Sequence, residues 1–145
     1  MTNAHCLFCR IAAGEIPATR IHEDDTLIAF LDIGPIRAGH ALIMPKQHHA
    51  YFDDLPPDLA TGIVHLGQRI ARAQKERYGV ERVAFFFTGT DVAHVHAHVV
   101  PMVEKSDVTS RRYFVEEKVT FRPLPRETPE ALAATATELR GLLGN

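Results

Sequence analysis

Residues 94–101 constrain the fold of this chain more than any other segment, because three histidines in this run alternate with small apolar residues. Strict alternation is typical of a half-buried β-strand, whose successive side chains point to opposite faces. We therefore predict a strand with His94, His96 and His98 on one face and an apolar opposite face that enters the core. A row of imidazoles on one face can line a small anionic group such as a phosphate, or bind a metal.

Length and composition indicate a globular protein with one core. The chain has 145 residues, of which 46% are hydrophobic and 23% are charged, and both values are ordinary for a globular domain. We expect a single domain over 1–145, with a motif-bearing core at about 6–101 and a C-terminal segment at 104–145. The net charge of -2 argues against nucleic-acid binding, which usually needs a basic excess.

The sequence carries no signal for membrane insertion or secretion. No stretch approaches the ~20 consecutive apolar residues of a membrane-spanning helix, and the first six residues lack the basic start and apolar run of a secretory signal. We expect a cytoplasmic protein without membrane contacts. The two cysteines, Cys6 and Cys9, are too few for a disulfide scaffold.

Local patterns predict both helices and strands. Apolar residues recur every three or four positions from Leu59 to Ala73, which indicates a long amphipathic helix that begins near 55–58 and ends at Gly79. Thr128 begins a last helix that extends to about Leu143. A short helix is expected at 6–13, and strands are expected at 20–23, 26–31, 40–44, 83–87 and 94–100. We expect the strand at 83–87 to be buried and central in the sheet and to pair with the histidine strand.

Residues 94–100 match the pattern His-φ-His-φ-His-φ-φ, in which φ is apolar, at every position. With this motif, and with segments such as 8–11, 14–17 and 29–35 in the same order, the chain resembles the histidine triad superfamily of nucleotide hydrolases and transferases. It is most similar to the branch of purine nucleoside phosphoramidases and diadenosine polyphosphate hydrolases. The resemblance implies an α+β fold with an antiparallel sheet of about five strands, one long central helix and a C-terminal helix. It also implies a homodimer.

The resemblance assigns the chemistry to two histidines. It implies that His96 attacks the α-phosphorus of a purine nucleoside phosphoramidate or a dinucleoside polyphosphate, and that water then hydrolyses the nucleotidyl-histidine to release a nucleoside monophosphate. Covalent catalysis of this kind divides one displacement into two easier steps, and a neutral imidazole is nucleophilic near neutral pH. A backbone carbonyl is expected to hold the second nitrogen of His96, while His98 contacts the phosphate and the leaving group as donor or general acid.

Substrate-binding residues also follow from the resemblance. It implies that Asp32 accepts hydrogen bonds from the ribose hydroxyls, which suits a carboxylate because a carboxylate only accepts. Asp32 is equally suited to a turn before Gly34. The segment before the triad departs from the family, since Thr90 and Asp91 stand where Gln and Ser or Thr are common. Thr90 is a substrate-binding candidate, whereas Asp91 would repel an anion. The apolar slot for the base is implied at residues that core packing also explains: Phe8, Ile11, Ile16, Phe30 and Ile33.

The spacing of the cysteines suggests a metal. Cys6 and Cys9 form a C-x-x-C pair, which is half of a zinc site by spacing and is also compatible with two small buried apolar residues. The resemblance to bacterial relatives adds His48 and His94, which would complete a closed structural Cys2His2 site for Zn2+. His49 is the neighbouring alternative to His48. No organic cofactor is expected, and no special role is expected for the remaining histidines at positions 5, 22, 40 and 65.

Two other functions remain open at this stage. The first is a non-catalytic nucleotide-binding or scaffold protein that keeps the same fold. The second is a zinc hydrolase in which His94, His96 and His98 bind the metal and a bound water is the nucleophile. The second has poor geometry on a straight strand, because the outer pair of ligands would lie about 13 Å apart at the backbone.

Overall fold

The computed structural model describes residues 5–89, 91–108 and 125–144. Over these residues the chain forms three α-helices and five β-strands, with one short 3-10 helix at Phe52–Asp54. The helices are α1 (Leu7–Ala12), α2 (Pro57–Tyr78) and α3 (Pro129–Leu143). The strands are β1 (Arg20–Glu23), β2 (Leu27–Leu31), β3 (Ala41–Pro45), β4 (Arg82–Phe87) and β5 (Ala97–Met102).

The five strands form one antiparallel sheet in the order β1-β2-β3-β5-β4. The prediction of an α+β fold with a five-stranded antiparallel sheet, a long helix and a C-terminal helix is therefore confirmed. The connection that leads from β3 through α2 and β4 allows β5 to insert between β3 and β4. This order places the second half of the histidine motif beside β3 in the interior of the sheet.

Each face of the sheet has its own core. Alternate residues of β2 and β3, such as Ala29 and Ile43, pack with α2 and α3 in one cluster. Their neighbours, such as Phe30 and Leu42, pack with α1 in the second cluster. Every residue of β2 and β3 is buried for this reason, and the short helix α1 is fixed against the face that carries the candidate site.

The long helix follows its sequence signals closely. Ile63, Leu66 and Ile70 of the apolar stripe are buried against the sheet, as the helical spacing predicts. Gly79 ends α2 in the left-handed conformation with φ of 63°, which glycine adopts without steric cost. None of the helices in the described ranges is both long and apolar enough to cross a bilayer.

The prediction of a buried, central strand at 83–87 was wrong. β4 is an edge strand, its residues are half-buried or exposed, and Phe85 is 38% exposed. Its pairing with β5 was predicted correctly, with Phe87 opposite Ala97. An apolar run shows that a strand has apolar neighbours on its faces, but it does not show whether a further strand covers the outer edge.

The prediction of one continuous strand over 94–100 was also wrong, because β5 begins only at Ala97. The N–H of His94 donates to the carbonyl of Val92 at 2.9 Å, and the N–H of Val95 donates to the carbonyl of His49 at 2.7 Å. These bonds hold residues 94–96 outside the regular ladder. As a result, the three histidines do not present three equivalent rings on one strand face.

Candidate active site

A cavity of about 320 Å³ lies on the α1 face of the sheet and is called the α1-side cavity below. His96, His98 and Asp32 all line it. The apolar residues predicted for the base slot all line the same cavity: Phe8, Ile11, Ile16, Phe30 and Ile33. The structure therefore brings together the predicted apolar slot, the predicted ribose carboxylate and two histidines of the motif.

Asp32 forms the turn that its sequence context suggested, and its predicted contact with the ribose hydroxyls stays a prediction. One carboxylate oxygen, Oδ1, accepts the N–H of Gly34 at 2.8 Å, which stabilises the turn. The other oxygen, Oδ2, lies 3.9 Å from Nδ1 of His40. Asp91 also lines the cavity, whereas Thr90 lies outside the described residues, so its predicted role in substrate binding stays a prediction.

The ring of His96 is oriented by the backbone. Its Nδ1 lies 2.7 Å from the carbonyl oxygen of His94, so this nitrogen carries the proton and donates it. The edge-to-face contact with Phe8, at 4.9 Å between ring centroids, packs the ring from the side. Because Nδ1 is protonated, Nε2 keeps its lone pair, which is the arrangement that a nucleophilic imidazole needs.

His98 is oriented by a second histidine, His40. The N–H of Ile36 donates to Nδ1 of His40 at 3.2 Å, so the proton of His40 is on Nε2. That nitrogen lies 3.0 Å from Nδ1 of His98 and donates to it. The proton of neutral His98 is therefore on Nε2, which lies 3.5 Å from the hydroxyl of Thr88, and the His98 ring stacks on Phe86 at 4.8 Å.

The sequence interpretation gave His40 no special role, and His40 is the residue of the candidate site that it missed. His40 is buried, with 3% of its surface exposed, and a buried histidine with both nitrogens bonded is fixed in one tautomer. The available signal was its place in the segment Gly39-His40, which lies in the family order between the Asp32 turn and β3. Spacing along the chain does not show that His40 meets His98, which is 58 residues away.

Burial, with a smaller effect of the nearby His40 and His96, lowers the pKa of His98 to about 4 against an opposing effect of Asp32. The folded pKa lies below the unfolded value of about 6.5, so the unfolded state binds the proton first as pH falls. The neutral ring stabilises the fold above pH about 6.5, and this contribution is lost as pH falls towards about 4. At neutral pH His98 is therefore an uncharged donor through Nε2.

We expect the stability of the wild type and of His98→Asn to diverge with pH. Between pH about 6.5 and about 4 the wild type should lose about 1–2 kcal/mol relative to the variant, after allowance for solvent screening of this partly buried group. Urea unfolding of both proteins across this interval measures the difference. Parallel pH profiles for the two proteins would contradict the assigned environment of His98.

A buried glutamine of α2 connects the two segments that carry the histidine pair. The amide nitrogen of Gln74 donates to the carbonyls of Gly39 at 2.8 Å and Val99 at 2.9 Å. These residues are the chain neighbours of His40 and His98. Gly39 has a φ of +84°, and a Cβ at this position would lie 2.5 Å from the ring of Tyr78 in α2. The backbone before His40 can therefore lie this close to α2 only with glycine at position 39.

We expect Gln74→Met to lower the free energy of unfolding by about 2 kcal/mol, because two buried carbonyls lose their donor. Turnover should fall as well, since the spacing of the His40 and His98 segments depends on this amide. The matched control is Gln68→Met, on an exposed position of the same helix, which should change neither property. Thermal unfolding and steady-state kinetics of the two variants test this, and equal behaviour would contradict a positioning role.

The four residues predicted as metal ligands lie together. Ligand atoms of Cys6, Cys9, His48 and His94 all lie within 4.8 Å of one another. The measured separations from Nδ1 of His94 are 3.5 Å to Sγ of Cys6, 3.6 Å to Sγ of Cys9 and 3.3 Å to Nδ1 of His48. Sγ of Cys9 lies 3.4 Å from Nδ1 of His48.

These separations fit a tetrahedral zinc ion. Zn–S bonds of about 2.3 Å and Zn–N bonds of about 2.0 Å place neighbouring ligand atoms about 3.3–3.8 Å apart. Nε2 of His94 donates to the carbonyl of Pro45 at 2.9 Å, which leaves the lone pair of Nδ1 directed to the cysteines. Such a second bond is typical of metal-binding histidines. Two thiols and two imidazoles are a donor set for structural Zn2+.

The neighbouring alternatives for metal binding fit less well. His49 is not part of this cluster in the described chain, and its carbonyl is instead bonded to Val95. His94, His96 and His98 do not form a common ligand group among the described residues. His94 turns to the cysteines, whereas His96 and His98 lie against each other with ring centroids 4.9 Å apart. The geometry therefore separates one histidine of the motif from the other two.

Comparison with known proteins identifies the family of the chain. Residues 13–105, more than half of the chain, match the HIT domain family. The chain belongs to the HIT domain family. A HIT-like protein of Mycobacterium tuberculosis is 43% identical to this HIT domain over 105 residues, which cover 66% of this chain and 70% of the relative.

Two further relatives carry informative names. The adenosine 5'-monophosphoramidase HNT1 of Saccharomyces cerevisiae is 39% identical over 100 residues, which cover 68% of this HIT domain protein and 63% of the yeast protein. The crystal structure of a Zn-bound histidine triad family protein from Mycobacterium smegmatis aligns with a TM-score of 0.74 and 32% identity. The alignment covers 97% of this chain and 94% of that protein.

Proposed function

We propose that this HIT domain protein is a nucleotide hydrolase that cleaves at the α-phosphorus of a purine nucleotide through a nucleotidyl-histidine on His96. The observation that carries the proposal is the hydrogen bond from Nδ1 of His96 to the His94 carbonyl, which leaves Nε2 as a nucleophile beside a cavity suited to a nucleoside. The similarity to an adenosine 5'-monophosphoramidase supports adenosine as the nucleoside.

The first step forms a bond between phosphorus and Nε2 of His96 while the bond from phosphorus to the leaving atom breaks. Nε2 of His98, which His40 orients through its donated hydrogen bond, donates a hydrogen bond to the leaving atom, and the leaving atom takes its proton from a solvent water, so that neutral His98 keeps its own proton. In the second step a water attacks the same phosphorus, the bond to His96 breaks, and the proton of the attacking water neutralises the hydroxide that the first step left in solvent. The product is a nucleoside monophosphate, and both histidines regain their first state.

Asp32 and the apolar residues of the α1-side cavity hold the nucleoside in this proposal. The carboxylate of Asp32 accepts from the ribose hydroxyls with lone pairs that its bond to Gly34 leaves available. The base lies among apolar side chains such as Phe8 and Ile11, which exclude water from it. The alternative of a non-catalytic nucleotide-binding protein shares these contacts and differs only in the chemistry of His96.

We propose in addition that Cys6, Cys9, His48 and His94 hold a structural Zn2+. The separations between their ligand atoms support this assignment. Bound zinc would supply a cross-link between α1 and the segment before β5, and no step of the reaction needs it. His94 would then act on the reaction only through the carbonyl that it presents to His96.

Trapping of the covalent intermediate tests the proposed function. Brief incubation with an AMP phosphoramidate, acid quenching and intact-mass measurement should reveal one adenylyl group on the wild type, with peptide mapping to His96. His98→Ala should form the adduct more slowly, because the leaving atom loses the hydrogen bond from Nε2 of His98. Substrate hydrolysis without any adduct would favour direct attack by water, and nucleotide binding without hydrolysis would favour the scaffold alternative.

A further inference from the structure

An ion pair between Arg37 and Asp107 joins the loop 32–40 to the turn that follows β5. Nε and Nη2 of Arg37 donate to Oδ1 of Asp107 at 3.0 Å and 2.7 Å. The other carboxylate oxygen, Oδ2, accepts the N–H groups of Val103 at 2.8 Å and Glu104 at 2.9 Å. Neither member of the pair is among the described residues that line the α1-side cavity, so direct contact with a nucleotide there does not account for the pair.

The Asp107 carboxylate is buried and saturated with donors. The side chain of Asp107 is 6% exposed and that of Arg37 is 32% exposed. Hydrogen bonds from Arg37 make the largest contribution to lowering the pKa of Asp107 to about 2, so the carboxylate is charged near neutral pH. Charge-assisted hydrogen bonds of this kind are stronger than those of an exposed surface pair. We therefore expect the pair to fix the backbone at Arg37.

The backbone next to Arg37 determines the state of His40. The carbonyl of Arg37 accepts the N–H of His40 at 3.0 Å. The N–H of the preceding residue, Ile36, donates to Nδ1 of the His40 ring at 3.2 Å. A shift of the backbone at 36–37 would therefore remove the hydrogen bond that keeps the proton of His40 on Nε2.

Asp32 favours the opposite tautomer of His40. Its Oδ2 lies 3.9 Å from Nδ1 of His40, and a carboxylate in this place attracts a proton to Nδ1. The N–H of Ile36 opposes that state, because two N–H donors that face each other lack an acceptor. With its proton on Nδ1, His40 would accept at Nε2 from Nδ1 of His98, which lies 3.0 Å away. Neutral His98 would then have no proton on Nε2, and the leaving atom would lose its donor.

We infer that Arg37 and Asp107 are positioning residues for the proposed reaction. Their ion pair holds the N–H of Ile36 against Nδ1 of His40. His98 consequently keeps the proton on Nε2 with which it donates to the leaving atom. The inference rests on the proposed function and adds to it two residues outside the α1-side cavity.

The tautomers of His40 and His98 are the most direct readout. In protein labelled with 15N, the chemical shifts of the ring nitrogens show which nitrogen carries the proton, and His40→Gln and His98→Asn assign the signals. The wild type should have the proton on Nε2 of both rings. Arg37→Met should add the opposite tautomer, so that the two nitrogen shifts of each ring move towards their mean. Arg37→Lys keeps the charge but cannot form both bonds to Asp107, and its shifts should lie between the two.

The rate of adenylyl transfer to His96 is the second readout. Only molecules with a proton on Nε2 of His98 assist the leaving atom, so the rate falls in proportion to the competent fraction. For Arg37→Met we expect adduct formation from an AMP phosphoramidate to be about two- to tenfold slower. The Kd of AMP should change little, because the apolar slot and Asp32 remain in place.

Asp107→Asn separates positioning from a direct effect of charge. If Arg37 acted as a cation on an anionic substrate, removal of the neutralising carboxylate would speed adduct formation. Positioning predicts slower adduct formation and the same mixture of tautomers as in Arg37→Met. The matched control is Glu138→Gln, which breaks an exposed ion pair with Arg77 between α3 and α2 and should change neither readout.

Three results would overturn the inference: wild-type tautomers in Arg37→Met, mixed tautomers with an unchanged rate of adduct formation, or faster adduct formation by Asp107→Asn. Each of them leaves the proposed function supported by the adenylyl adduct on His96 of the wild type. If the wild type forms no adduct, the proposed function fails and the inference fails with it.

Discussion

His96→Ala is expected to lower kcat/KM by at least about 10⁴-fold, because the variant loses the atom that forms the covalent bond to phosphorus. The free energy of unfolding should change by no more than about 2 kcal/mol, since the deletion removes the ring contacts with Phe8 and His98 and the hydrogen bond to the His94 carbonyl but no metal ligand. Steady-state hydrolysis of an AMP phosphoramidate and urea unfolding of the same preparation measure the two quantities.

The control for His96→Ala is His65→Ala, which removes an exposed histidine of α2 and should change neither quantity. Nucleotide binding to His96→Ala should persist, because the α1-side cavity and Asp32 remain in place. Activity of His96→Ala near that of the wild type would contradict a nucleophilic role. Loss of folding together with activity would instead indicate that His96 is mainly a structural residue.

Loss of zinc is expected to have the largest effect on stability. A ligand that binds only the folded state contributes about 4 kcal/mol when it is present at a thousand times its Kd, and structural zinc sites bind tightly enough to reach this value. Cys9→Ala should therefore lose bound zinc and should lower the melting temperature strongly. A chelator should lower the melting temperature of the wild type but should scarcely affect that of Cys9→Ala.

The choice of histidine ligand is tested by a neighbouring pair of variants. His48→Gln should lose zinc, whereas His49→Gln should keep it, since His48 lies in the ligand cluster of the described residues and His49 does not. Metal content of the purified proteins and their melting temperatures provide the comparison. Retention of one zinc ion per chain by His48→Gln, or an unchanged melting temperature after removal of the metal, would contradict the assignment.

Some of this architecture follows from local sequence patterns, and α2 is the best example. Its apolar stripe and its C-terminal Gly79 are signals within one helix, so the bounds of the helix could be predicted. The base slot, and the two histidines that join the cysteine pair, could be predicted only through resemblance to a family. Period-two alternation predicted the strand that contains His98, but it extended this strand over residues 94–96 as well.

The remaining features depend on contacts between distant segments. His94 leaves the strand geometry because Val95 bonds to His49 and its own ring bonds to Pro45. The pair of His40 with His98 forms across neighbouring strands, and Gln74 reaches both segments from α2. No local sequence pattern predicts such contacts, because each partner, taken alone, resembles an ordinary polar residue in an apolar element.

The stereochemical course at phosphorus tests the central claim most directly. A phosphoramidate made chiral at its α-phosphorus with sulfur can be hydrolysed in isotopically labelled water, and the configuration of the product can then be determined. Each in-line displacement inverts the configuration, so attack by His96 followed by attack by water predicts net retention. Net inversion would show a single displacement by water and would contradict a nucleotidyl-histidine on His96.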